Sequence, residues 1–334
     1  MTLTVPAEWA PHRGMWLGFP SHGELWQENL EPARQEVAAL ASALAGPGKE
    51  RVKLLVAGDE AMAAARRLLG AVAGVELVAG RFGDIWLRDT GPIFVEDEDA
   101  RSGAGFHFNG WGGKYVLEGD DAVAEQIARA AGEPLVRHDF VLEGGAVDHD
   151  GLGAVLTTRQ CLLNPNRNPG WTEAAAEAAL RKALGARKVL WLGEGLVNDH
   201  TDGHVDNLAR FVAPDVVACP MGFGLNDPNT DAYDDAARAL ASMTDVTGHP
   251  LTVVRIPSPG LIEDEDGEPI AASHMNFLIA NGAVIAPVYE DVASNYAIEA
   301  LKALFPEREV IGLPSRAILT GGGSFHCITQ QEPA

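Results

Sequence analysis

The sequence predicts an α/β fold made of repeated strand-rich units, and three observations carry that expectation. Extended apolar runs at Met15–Phe19, Val52–Val56, Val189–Leu192 and Leu251–Ile256 alternate with helical periodicity at Glu31–Ala45, Glu60–Ala71, Ala122–Ala131, Trp171–Leu184, Ala232–Met243 and Tyr296–Leu304. Four further segments, Gly91–Asn109, Ala146–Leu163, Asn207–Pro220 and Asn276–Val288, read as hairpins. The last two resemble each other. Each starts with Asn, passes through an apolar run and a tight turn to a closing Pro, and the starting asparagines lie 69 residues apart. A strand–strand–helix–strand unit of that length fits about five times into 334 residues. A ring of such units would bring distant sequence positions around one axis. No low-complexity linker interrupts the pattern, so residues 1–334 are expected to form a single catalytic domain.

At 46% hydrophobic and 22% charged residues, the chain can bury a full core. Met1–Trp9 lacks a basic segment followed by an apolar one, and no stretch approaches the ~20 apolar residues of a membrane span, so a cytoplasmic location is expected. Cys161, Cys219 and Cys327 have no C-x-x-C spacing, which argues against a disulfide framework or a thiolate zinc site. Cys161 and Cys219 fall in apolar hairpin segments and read as buried structural thiols. The formal charge of −22 disfavours nucleic acid and anionic membranes as partners and suits a small cationic ligand, although an acidic surface also simply keeps a protein in solution. The runs Glu96–Asp99 and Glu263–Asp266 read as exposed loop tips without a site. A homo-oligomer is left open.

Several polar residues sit where a stable core would not choose them. Gly321–Gln331 places Cys327 in a small, polar, glycine-rich turn, where backbone N–H groups can hold a thiolate or a developing negative charge. Alternation through Asp84–Pro92 reads as a strand ending at Thr-Gly-Pro, with Asp89 at its end. Glu143 precedes two glycines after an apolar strand. The densest cluster, Asn198–Asn207, offers metal chemistry through Asp199, His200, Asp202, His204 and Asp206. Gly203 and Val205 weaken a helix there, however, and His204-Val205-Asp206 reads better as the start of the Asn207 hairpin, with His204 and Asp206 pointing the same way. Together with Asp89, Glu143 and Cys327 as nucleophile, they form a set for covalent catalysis without metal.

Six ordered motifs now carry a family likeness: Pro6–Trp9 with Trp16–Pro20, Trp86–Pro92, His107–Gly113, Leu142–Gly145, Thr201–Asp206 and Gly321–Gln331. In these the chain resembles the agmatine deiminase and bacterial-type peptidylarginine deiminase family of guanidino-group-modifying enzymes, over nearly its whole length. The resemblance implies a pentein fold, a propeller of five ββαβ units about a pseudo-fivefold axis, and no metal or organic cofactor. It also implies that Asp89 and Asp206 clamp a guanidinium bidentately, and that Cys327 attacks its central carbon. His204 would act as general acid and then general base, with Glu143 orienting it. Trp86 and Trp111 would wall the pocket and stack on the flat cation, unless they are ordinary core aromatics.

One position departs from that pattern. Agmatine-acting members typically have an acidic residue just before Thr-Asp-Gly-His, where it meets the distal amine, and this chain has His200. Such a residue would bind an ammonium less well than a carboxylate, with Asp199 or Asp202 as possible compensation. Agmatine is the leading substrate; arginine, peptidylarginine or a guanidino acid, amidino transfer, and a metal-dependent hydrolase using the His200/His204 cluster are the alternatives.

Overall fold

Apolar side chains recur every three or four residues through Leu30–Ala45, and the chain there is a helix burying Ala33, Val37, Leu40, Ala41 and Leu44 on one face. In the computed structural model, which describes residues 3–97, 100–289 and 292–334, this helix crosses between two parallel strands, β1 (His12–Gly18) and β2 (Val52–Val56). A second helix, Asp59–Leu69, leads to β3 (Val75–Ala79), parallel to β2. Glu98 and Asp99 of the first acidic run lie outside the described residues.

The next unit has a simpler order. Strands β4 (Ile93–Asp97) and β5 (Ala100–His107) pair antiparallel, and helix Val123–Ala131 carries the chain to β6 (Leu135–Val141), parallel to β5. The same strand order returns three times: β7 (Val147–His149), β8 (Ala154–Thr158) and β9 (Lys188–Leu192); β10 (Arg210–Ala213), β11 (Val216–Met221) and β12 (Thr252–Pro257); β13 (Leu278–Ile279), β14 (Ala283–Val288) and β15 (Glu309–Pro314). The first unit is completed from the far end of the sequence, where β16 (Thr329–Pro333) pairs antiparallel with β1. Among the described residues this makes five separate sheets, each an antiparallel pair extended through a helix by a parallel strand, with β3 as a second parallel strand in the first. Helix Leu30–Ala45 packs on β14 and β15, joining the last unit to the first. The repeat read from the sequence is real, and its two asparagines meet: Asn276 Nδ2 donates to Asn207 Oδ1 at 3.0 Å. Among the described residues no helix is long and apolar enough to cross a membrane.

Three local expectations are corrected. Asp84–Pro92 is not a strand; the Asp84 carboxylate accepts from Ile85 N and from the indoles of Trp26 and Trp86, and the chain turns into a short helix, Leu87–Thr90. Side-chain to backbone bonding of this kind competes with strand pairing. Asp89 therefore sits in a helical turn. The second hairpin stops at Thr158, whose hydroxyl accepts from Cys161 N at 3.2 Å and caps the helix Arg159–Leu162, so Cys161 lies in a helix. His204 precedes a 3-10 turn, Val205–Asn207, and the strand begins only at Arg210.

The closing strand is pinned by a buried carboxylate. Glu332, 1% exposed, accepts from Trp16 Nε1 at 3.0 Å and from Lys53 Nζ at 2.7 Å and pairs with Arg13. Removing one partner of such an arrangement leaves buried charge uncompensated. Glu332→Ala is expected to lower the unfolding free energy by about 3 kcal/mol, read as a reduced urea midpoint at unchanged slope.

Candidate active site

The turn Gly321–Cys327 is glycine-rich because two indoles lie against it. A Cβ on Gly321 would stand 2.8 Å from both Trp26 and Trp86, and one on Gly323 would stand 2.6 Å from Trp86, while Gly322 takes φ +102°. The glycines thus admit the two tryptophans. Cys327 and Asp89 open onto a cavity of about 370 Å³ that is also lined by Trp26, Asp84, Trp86, Trp111 and His200. Trp26 and Trp86 stack with centroids 6.3 Å apart. This cavity meets a wider basin of about 1290 Å³ whose wall includes the exposed carboxylates of Glu28, Asp264, Asp266 and Glu268. The acidic run at 263–266 is therefore part of an approach to the cavity, correcting its reading as a bare loop tip.

Glu143, His204 and Asp206 lie directly behind this wall, each no more than 1% exposed. All five polar residues singled out from the sequence converge. Asp89 Oδ1 accepts from Gly145 N at 2.9 Å and Oδ2 from Trp111 Nε1 at 2.9 Å; His204 Nδ1 stands 3.7 Å from Asp89 Oδ1. Cys327 Sγ is 3.6 Å from Asp206 Oδ2. Glu143, Cys161 and His204 bring one polar atom each within 4.8 Å of one another. Glu143 is fixed from behind by Arg167 Nε at 2.7 Å, and Arg167 also reaches Asp202 and the Thr201 carbonyl.

A sequence profile of the family described as Porphyromonas-type peptidyl-arginine deiminase matches residues 4–333. This chain belongs to that family. It is 39% identical to an agmatine deiminase of Stutzerimonas stutzeri (strain A1501), with 99% of this chain and 95% of that relative covered. The structure of agmatine deiminase of Enterococcus faecalis superposes with a TM-score of 0.93 at 33% identity, covering 99% of this chain and 96% of that one. An amidinotransferase of Microseira wollei, 12% identical, shares the fold alone, with a TM-score of 0.55 over 98% of this chain and 96% of its own. The five units are therefore the blades of the pentein propeller.

In this peptidyl-arginine deiminase family chain the site charges are strongly biased. Burial pushes the Cys327 thiol well above its ordinary value, and the Asp206 and Asp89 carboxylates push it further, while hydrogen bonds from Ser324 and Asn276 oppose the rise only in part. Burial raises Asp89, against the attraction of His204. For His204, burial favours the neutral ring, but Asp89, Cys161 and Glu143 outweigh it and hold the imidazolium well above the usual histidine range. Burial would raise Asp206 too, yet the hydrogen bond and charge of His326 win and keep it below the carboxylate norm.

Metal chemistry on Asp199, His200, Asp202, His204 and Asp206 is not assembled. Asp202 is taken by Lys114, Asn166 and Arg167, and His200 faces outward, its Nδ1 3.1 Å from Tyr115 Oη. Sequence reasoning missed four neighbours. Asn276 Nδ2 lies 3.2 Å from Cys327 Sγ while its Oδ1 accepts from the His326 and Cys327 amides, and the repeat asparagine was its signal. Arg167 stood out only as a cation between asparagines. Cys161, buried as expected, has its sulfur within 4.8 Å of the His204 ring, and Asp84 anchors two pocket indoles. Cys219 is buried in β11, as expected.

Gly145 stands at the meeting point of these groups. An added Cβ there would lie 2.6 Å from His204 Nδ1, 2.9 Å from Asp89 Oδ1 and 3.1 Å from Asp206 Oδ2. Gly145→Ala is expected to cut kcat/KM on the order of a hundredfold or more with an unchanged circular dichroism spectrum, because displacing reacting groups by less than 1 Å suffices.

Proposed function

We propose that this protein is an agmatine deiminase, hydrolysing the guanidinium of agmatine to N-carbamoylputrescine and ammonia through a covalent intermediate on Cys327. The observation that carries this reading is the pair of carboxylates near one thiol: Asp89 lines an indole-walled cavity with Cys327, and Asp206 lies buried 3.6 Å from the Cys327 sulfur. A guanidinium is flat and cationic, and its N–H edges match carboxylate oxygens two by two. Among the described residues Asp206 Oδ1 is buried without a hydrogen-bond partner, which suits it to such an edge. Trp86 and Trp111 supply apolar walls along the cation's faces. The acidic basin favours a substrate with a second positive charge at its far end, so the carboxylates beyond His200 supply the attraction that His200 does not.

Binding then changes the nucleophile. The same carboxylates that hold Cys327 protonated are neutralised by the arriving cation, so the thiol gives up its proton to solvent water as substrate seats. The thiolate adds to the guanidinium carbon, disrupting its resonance. His204, held as imidazolium by Asp89, Cys161 and Glu143, donates its proton to the departing nitrogen, and ammonia leaves with an amidino group on sulfur. The neutral imidazole next takes a proton from water, which adds to the same carbon; collapse frees the carbamoyl product and returns the thiolate. Glu143, braced by Arg167, keeps the ring in place through both proton transfers.

Ammonia release from agmatine is expected to survive EDTA and to vanish in Cys327→Ser. Activity that needs metal and persists in Cys327→Ser would overturn the covalent reading. Agmatine should exceed n-butylguanidine, which lacks the distal amine, by about tenfold or more in kcat/KM; equal turnover would remove the acidic basin from recognition. Because the resting thiol is raised above its ordinary value, its anionic fraction in the free protein is small below pH ~9. Iodoacetamide should therefore label Cys327 slowly at pH 7 and faster only at alkaline pH, and rapid labelling at pH 7 would show a preformed thiolate.

A further inference from the structure

Glu8 and His326 belong to motifs that the reaction above leaves without work, yet they are tied to it. His326, 2% exposed, lies between two carboxylates: Nδ1 is 2.8 Å from Asp206 Oδ2 and Nε2 is 3.1 Å from Glu8 Oε2. Glu8 is itself held by Arg210 and accepts from Ile279 N at 2.7 Å. Arg210, fully buried, is fixed by Asp148 Oδ1 at 2.8 Å and by the carbonyls of Met275 and Phe277. The ring's backbone is fixed as well, since His326 N donates to Asn276 Oδ1 at 2.9 Å and its carbonyl accepts from Arg88 Nε.

The consequence falls on the two oxygens of Asp206. Oδ2 is engaged by His326 and faces the Cys327 sulfur, whereas Oδ1 is buried and unpartnered. A carboxylate free to rotate about its last bond would exchange these oxygens. We propose that His326, oriented by Glu8, is a positioning residue that pins Oδ2 of Asp206 and so presents Oδ1 to the substrate guanidinium. Neither residue touches substrate; both act through Asp206. This inference rests on the deiminase reading, because it assigns the geometry of one side of that clamp.

The test compares two thiol reagents on the full-length chain. 2-Chloroacetamidine carries an amidinium that needs the carboxylate clamp, and iodoacetamide is neutral and reports the thiol alone. The ratio of their second-order rate constants for Cys327 reads clamping apart from thiol reactivity, and kcat and KM for agmatine are measured alongside. His326→Gln is expected to lower the ratio about tenfold or more and to raise KM, and Glu8→Asp, which keeps its charge beside Arg210, to lower it less. In an Asp206→Asn background both effects should shrink to within about twofold, since a residue acting only through Asp206 has nothing left to position. Equal losses in both backgrounds would reduce His326 to a structural support and overturn the proposal, as would an unchanged ratio in both single variants. Wild-type protein labelled at Cys327 no faster by chloroacetamidine than by iodoacetamide would overturn the deiminase reading itself, and the positioning role with it.

Discussion

Arg210 is the cation on which the interior depends. It begins β10, is wholly buried, and bonds outward to Glu8 near the start of the chain, Asp148 in β7 and two carbonyls around β13. One side chain therefore joins three blades to the segment before β1. Burying a guanidinium is affordable only when its donors are met in their fixed fork geometry, and here acids and carbonyls meet them from several directions. Of these acids Glu8 also holds His326, which holds Asp206, so the geometry of the site is tied to the charge balance around Arg210.

That balance explains why so many carboxylates tolerate one another near a thiol. Asp89, Glu143 and Asp206 lie around a single imidazole, and Glu8 and Asp148 lie one layer deeper. Each has a named donor: Trp111 and Gly145 for Asp89, Arg167 for Glu143, His326 for Asp206, Arg210 for Glu8 and Asp148. Among the described residues the pairing leaves out one oxygen, Asp206 Oδ1, which is buried without a hydrogen-bond partner. A cleft poised in this way is short of one positive charge, and a guanidinium brings it with the right shape.

Much of this was legible in the sequence, for reasons that differ by residue. The blades were readable because apolar runs and helical periodicity are local signals, and the paired asparagines 69 residues apart exposed the repeat. Cys327, His204, Asp206, Glu143 and Asp89 stood out because charged or thiol groups beside glycines serve no core. What escaped was decided by side-chain to backbone bonds that no periodicity encodes. Asp84 turned an apparent strand into a helical turn by capturing Ile85 N and two indoles, and Thr158 capped the short helix that delivers Cys161 to His204. His326 hid beside Cys327 because its partners, Asp206 and Glu8, are 120 and 318 residues distant.

The pairing of β16 with β1 also sets an order of events in biosynthesis. Trp16 and Glu332, which meet across that seam, are 316 residues apart, so β1 emerges from the ribosome long before its neighbour exists. Until then its edge is unsatisfied, and contacts of such long range form late. Cys327 lies just ahead of β16, and Arg88 N bonds its carbonyl only once the seam has closed. A nascent chain thus carries Asp89 and Asp206 before Cys327 exists, and the cavity wall is completed only with the final stitch of the ring.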